Sequence, residues 1–138
     1  MSREEIDQYL DSKPGWIALT TLGADGYPHT VPLGYFRLDN DILMGVHDAT
    51  VKTRNIDRDP RVSLMVESGT TMADIKGVMV QGRAEIVRAA EEVLHYMREG
   101  ARQRGRSEEE LPTSARPGAA FIKVHPDKFI TWDYGQSD

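Results

Sequence analysis

The chain has 138 residues, 39% hydrophobic and 28% charged, a formal net charge of -5 and no cysteine. That is one domain's worth of chain, too apolar for a disordered one. The acidic balance argues against a general nucleic-acid binder, and the lack of cysteine excludes disulfides, thiolate metal sites and a thiol nucleophile.

The start, Met1-Ser2-Arg3-Glu4-Glu5, is charged and does not read as a signal peptide. No apolar run approaches the roughly 18 residues that suggest a membrane span, so the expected setting is cytoplasmic. Ser2 and Glu5 fit a capping box, and Ile6, Tyr9 and Leu10 share one face of a first helix that Pro14-Gly15 ends. Trp16 to Leu22 predicts a strand and Gly23-Ala24-Asp25-Gly26 a turn. Tyr27 to Leu38 predicts a second strand. It carries Pro28 and Pro32, which cannot donate to a ladder and therefore face an edge, a bulge or a ligand. Asp39-Asn40-Asp41 is a turn and Ile42 to Val46 a third strand.

Thr50 to Arg58 carries a short helical pattern that Pro60 stops. Val62, Leu64 and Val66 alternate along a strand from Arg61 to Glu67, and Ser68 to Asp74 is a loop. Ile75 to Arg88 predicts a long strand in which Gly77 and Gly82 mark bulges or close approaches. Ala89 to Gln103 predicts an amphipathic helix with Val93, Leu94, Met97 and Ala101 on one face. Gly105 to Gly118 is a charged loop with one helical turn at Ser107 to Leu111. Ala119 to Val124 and Lys128 to Tyr134 are the last two strands, with Pro126-Asp127 between them. About seven strands in hairpin-length succession and two main helices predict a mainly β fold, a closed or nearly closed antiparallel barrel with flanking helices, as one domain over residues 1–138.

The stretch Lys52-Thr53-Arg54-Asn55-Ile56-Asp57-Arg58-Asp59-Pro60-Arg61-Val62-Ser63-Leu64 concentrates positive charge just after a strand and at the start of a short helix. Free N–H groups and the positive helix end attract an anion there; Lys supplies a point charge, Arg a fork of donors, and Thr50 or Thr53 a hydroxyl. Read physically, it is either a phosphate cradle without a Gly-rich loop or a solvated basic turn. None of the four histidines (His29, His47, His95, His125) has metal-ligand spacing with a carboxylate, so no metal site is expected. Ser63 and Ser68 lack the elbow glycines of a hydrolase, and Glu108-Glu109-Glu110 reads as a solvated face.

The basic stretch resembles the Lys-x-Arg-Asn-hydrophobic, Asp-Pro-Arg-hydrophobic-Ser pattern of the FMN/deazaflavin split-barrel superfamily named after pyridoxamine 5'-phosphate oxidase. Gly26-Tyr27-Pro28-His29-Thr30-Val31-Pro32-Leu33 resembles its Gly-x-Pro strand. Order and spacing continue to agree through Val78-Met79-Val80-Gln81-Gly82-Arg83-Ala84 and end at Pro126-Asp127-Lys128-Phe129-Ile130-Thr131-Trp132-Asp133, nearly the whole chain. The resemblance implies an antiparallel split β-barrel of Greek-key type. It implies a homodimer with FMN or coenzyme F-420 in a groove between the subunits. Lys52 and its neighbours Thr50, Thr53 and Arg54 would bind the cofactor phosphate. The backbone of Val31, Pro32 and Leu33 would run along the tricyclic ring, and Gly45, Val46 and His47 would border the ribityl chain and phosphate. His29 falls near the groove, as a substrate-side proton donor or a plain surface histidine. Gln81 is either a polar contact or an outward strand residue. Trp132 either covers the cofactor from the partner subunit or packs in the core or interface.

The implied function is hydride transfer between the cofactor and a small organic substrate, with the cofactor carrying the chemistry and no catalytic side chain assigned. True pyridoxamine 5'-phosphate oxidases are longer and end in an arginine-rich segment with an Arg-x-His element. This sequence ends Asp133-Tyr134-Gly135-Gln136-Ser137-Asp138, so vitamin B6 phosphate is not the expected substrate. The Lys52-Thr53-Arg54-Asn55 run is closest to deazaflavin-binding members, whose polyglutamate tail draws basic residues such as Arg54, Arg58 and Arg61; FMN members show similar runs, and both cofactors stay open. Two other classes also stay open: a non-catalytic flavin, deazaflavin or haem binding module, and an interaction protein that has lost the cofactor.

Overall fold

Alternating residues put one face of nearly every strand inside. The computed structural model describes residues 1–135; Gln136, Ser137 and Asp138, the end of the C-terminal run quoted above, lie outside the described residues. The elements in chain order are α1 (Arg3–Ser12), β1 (Ile17–Leu22), β2 (Pro28–Leu33), β3 (Phe36–Leu38), β4 (Asp41–His47), α2 (Val51–Arg58), β5 (Arg61–Ser68), β6 (Lys76–Val87), α3 (Ala90–Gln103), a 3-10 turn (Glu108–Glu110) and β7 (Ala119–Asp133). The strands form one seven-stranded sheet in the order β2-β1-β5-β6-β7-β4-β3, antiparallel at every pairing.

The sheet's edges are β2 and β3, yet only Gly34 and Tyr35 separate them in the chain. Two linking residues span at most about 11 Å. The sheet must therefore roll until its edges meet, which makes a barrel split between β2 and β3. Leu33 beside one edge and Val46 beside the other pack on the same core. That core is built from inward residues such as Leu19, Leu64, Val78, Val80, Met44 and Ile122, all buried. α1 closes it with Ile6, Tyr9 and Leu10, held by the Ser2/Glu5 capping box. A second cluster lies outside the barrel wall, where α3 lays Val93 and Tyr96 over Phe36, Leu43 and Phe121.

Two strand assignments need correction. The expected strand Tyr27 to Leu38 is two strands, broken where the chain crosses the split. Tyr35 is buried there and its hydroxyl donates to the Leu10 carbonyl at 2.6 Å. The expected last two strands are one 15-residue strand, β7. Gly82 faces Pro126 and Gln81 faces Lys128, so Asp127 is the extra residue of a bulge and the missing proline N–H falls at a gap in the ladder. The prolines of β2 behave as expected: β2 pairs with β1 alone and is an edge. Among the described residues no helix is long and apolar enough to cross a membrane.

Candidate functional site

β4 ends at His47, and the chain turns into α2 through Asp48, Ala49 and Thr50. Thr50 is the N-cap. Its Oγ1 accepts the Thr53 N–H at 3.3 Å, and Thr53 Oγ1 accepts the Thr50 N–H at 2.9 Å. Thr53 is fully buried, and its hydroxyl lies within hydrogen-bond reach of the Asp48 and Thr50 carbonyls. Thr53 therefore builds the turn, a role different from the phosphate contact its sequence position implies. The cap leaves the Val51 and Lys52 amides without an intrahelical acceptor, at the positive end of the helix.

The basic residues around that end differ in what holds them. Arg61 chelates Asp59 through two contacts of 3.1 and 2.7 Å. Those side-chain hydrogen bonds hold the Asp59 carboxyl at about 2. Arg58 donates to the Leu22 carbonyl at 2.7 Å and to Asn55 Oδ1 at 2.9 Å. Lys52, half-buried, and Arg54, exposed, have no side-chain hydrogen bond or ion pair among the described residues. Of the four cations, Lys52 and Arg54 are the ones left for a ligand.

Asn55 fixes the helix that carries them. It is buried, and its Nδ2 donates to Thr21 Oγ1 of β1 at 3.0 Å while Oδ1 takes the Arg58 bond. Replacing Asn55 with alanine leaves Thr21 and Arg58 without these partners. It is expected to cost about 1–3 kcal/mol of stability, read as a lowered urea midpoint.

His29 and Arg54 meet across a cavity of about 520 Å³, between the β1–β2 turn and α2, that also touches Arg58. His29 Nδ1 is buried with no hydrogen-bond partner. Val31 and Leu33 point toward the core and Pro32 outward along the edge strand. Gly45, Val46 and His47 border a second cavity of about 470 Å³, closed on its far side by Met97 and the Arg116–Gly118 loop. His47 Nδ1 accepts the Ala49 N–H at 3.2 Å and lies 3.4 Å from an Asp48 carboxylate oxygen. The end of β4 and the start of α2 are joined through Asp48, Ala49 and Thr50, and the cavities on either side of that link share no lining residue.

Gln81 and Trp132 lie elsewhere in this chain. Gln81 faces outward and lines a separate cavity of about 390 Å³ with Thr20, Ser63 and Lys128. Trp132 covers Gly77, where a Cβ would fall inside the indole. One feature escapes a reading of single strands. The outward residues Pro32, Ala18, Met65, Met79 and Ile130 are direct cross-strand partners and form an apolar row over five strands. Each is unremarkable in its own strand; the signal lies in the register.

A rolled, seven-stranded antiparallel sheet whose edges, β2 and β3, are joined by two residues is a split barrel. The chain belongs to the pyridoxamine 5'-phosphate oxidase family, whose model matches residues 2–133. Among solved structures it is similar to a conserved hypothetical protein from Mycobacterium tuberculosis, at 26% identity and a TM-score of 0.83, covering 97% of this chain and 86% of that one. It shares its fold with an F-420 reductase, at 20% identity and a TM-score of 0.67 over 89% of this chain and 94% of that one. It also shares its fold with the haem storage protein HutZ from Vibrio cholerae, at 18% identity and a TM-score of 0.66 over 93% and 92% of the two chains. No curated protein matches it by sequence.

Proposed function

We propose that this chain is a cytosolic, homodimeric oxidoreductase that holds coenzyme F-420 or FMN beside the split and passes a hydride between it and a small organic substrate. The observation that carries this reading is the pair of unpartnered cations, Lys52 and Arg54, at a capped helix start that leaves two amides open. Those groups suit a phosphate: two positive side chains, two N–H donors and a positive helix end. The bound flavin or deazaflavin would supply hydride transfer; the protein supplies position and shelter. The edge strand offers backbone along Val31 to Leu33 to a planar ring, and Gly45 presents no side chain to the ribityl chain.

The exposed Arg54 guanidinium, without a partner among the described residues and beyond the helix start, favours F-420 over FMN. A carboxylate from the deazaflavin's acidic tail would meet the Arg54 guanidinium there. FMN ends at its phosphate and does not reach further.

The apolar row on the outer face supports the homodimer reading. Met65 is 39% exposed on that face, and Pro32 is exposed beside it. A second copy is the occupant that would bury the row and carry its own Gln81 and Trp132 toward the cleft. Paired fluorescence titrations with F-420 and FMN test the reading, with light scattering on the same preparation. Expected are a dimer and tighter binding of F-420. A monomer that binds neither would end the proposal. A dimer that binds a cofactor but turns over no substrate in a broad panel would be a binding module instead.

A further inference from the structure

We propose that the groove under α3 is the substrate site and that its ligand is a flat, apolar organic anion. The word substrate rests on the redox reading above; the binding does not.

A cavity of about 440 Å³ lies between α3 and the outer face of β3, β4 and the start of β7. Its floor is apolar and largely aromatic. Phe36 and Phe121 meet edge to face with centroids 6.1 Å apart, and Tyr96 and Phe121 do so at 5.6 Å. Gly100 lets α3 close on this floor, since a Cβ there would sit 3.0 Å from the Phe36 ring. Such a surface takes a planar, apolar body.

The rim is cationic. Lys13 ends α1, Arg104 ends α3, and Arg116 lies in the loop before β7. None of the three has a side-chain hydrogen bond or ion pair among the described residues, and no acidic residue lines the cavity. The neighbouring arginines show that this is not the rule for the segment. Arg98 and Arg102 both reach Glu108, and Arg106 reaches Glu110. The two arginines between residues 98 and 116 left without a carboxylate, Arg104 and Arg116, are the two that line the groove. Lys13 adds a backbone observation. It occupies the left-handed C-cap position, φ 49°, where glycine is the favoured residue. A lysine is held there against that preference, and it lines the cavity. In a chain of net charge -5, three cations without counter-charge around one apolar floor call for an anion.

The groove also adjoins the proposed cofactor cleft. Gly45, Met97, Arg116 and Phe121 line both this cavity and the one at Gly45 to His47. A ligand in the groove would therefore lie against the Gly45–His47 end of the cofactor cleft.

The test is calorimetry with 1-naphthoate, 1-naphthyl phosphate and the neutral 1-naphthalenemethanol, on wild type and on the Lys13→Gln/Arg104→Gln double variant. Expected is binding of one or both anions at least about tenfold tighter than the alcohol, with that advantage lost in the variant. Comparison of the two anions assigns a carboxylate or a phosphate. The charge-keeping Lys13→Arg/Arg104→Lys variant should retain the preference, which separates charge from folding. Neither side chain belongs to the phosphate cradle, so cofactor affinity should be unchanged in both variants. Equal binding of alcohol and anions, or anion affinity indifferent to the double variant, would overturn the proposal. Anion selectivity in a protein that binds neither F-420 nor FMN would uphold the groove and remove only the redox reading.

Discussion

Replacing Lys52 with alanine is expected to weaken cofactor binding by about 1.5–3 kcal/mol, roughly ten- to a hundredfold. The magnitude follows from what Lys52 does in the free protein. It has no carboxylate or carbonyl partner among the described residues, so a bound phosphate gains the full charge-assisted contact. Arg54→Ala should lower affinity in the same direction. Arg61→Ala should leave it nearly unchanged, although Arg61 belongs to the same sequence motif. Its guanidinium is already spent on Asp59, whose carboxyl is held at about 2 by those hydrogen bonds. The contrast among Lys52, Arg54 and Arg61 is read by fluorescence titration at fixed salt, because exposed contacts are screened. Equal losses at all three positions would mean that bulk charge, rather than the α2 cradle, attracts the ligand.

Much of this fold was legible because alternation and capping are local. Ser2 and Glu5 lie three residues apart, and the structure forms the capping box they encode. Val62, Leu64 and Val66 alternate in sequence and all face inward. Gly82 reads as a bulge or a close approach, and the register shifts beside it where the β7 backbone comes close. The two misread strands share one cause: their ends are set by partners distant in sequence. The alternation of Tyr27 to Leu38 continues through Gly34-Tyr35, and only closure of the barrel requires the break. Pro126 reads as a strand end, and only Gly82 across the ladder lets β7 continue.

The site was legible as a segment and less so as a set of atoms. The charge cluster is visible from Lys52 to Arg61, and the sequence leaves open a cradle or a solvated turn. The structure divides it residue by residue: Arg61 is paired, Arg58 supports Asn55, and Lys52 and Arg54 stand open. Thr53 looked like a hydroxyl donor and is instead the buried half of a cap. The groove under α3 had no local signal. Lys13, Arg104 and Arg116 are spread over three elements, and only the packing of α3 over Phe36 and Phe121 brings them round one cavity.

The largest expected loss of stability is at Ile122. It is fully buried in β7 and lies directly between Met44 of β4 and Ile86 of β6, where the strands next to the split join the rest of the barrel. Ile122→Ala removes buried methyl groups from a sheet whose backbone ladder on both sides resists collapse into the space. The expected cost is about 2–5 kcal/mol, a large share of the 5–15 kcal/mol typical of a domain. Urea unfolding should show a lower midpoint with an unchanged slope. Ile130→Ala makes the informative comparison. It truncates the same side chain on the same strand, but Ile130 lies in the outer apolar row opposite Met79. Within one chain it is only partly buried and should cost less than Ile122. In a dimer joined through that row it should cost assembly, so that dissociation on dilution appears in light scattering while the unfolding of the monomer barely changes. If Ile130→Ala left the dimer intact at every concentration, the second copy would have to dock on another face. The route by which Gln81 and Trp132 reach the cofactor cleft would fall with it.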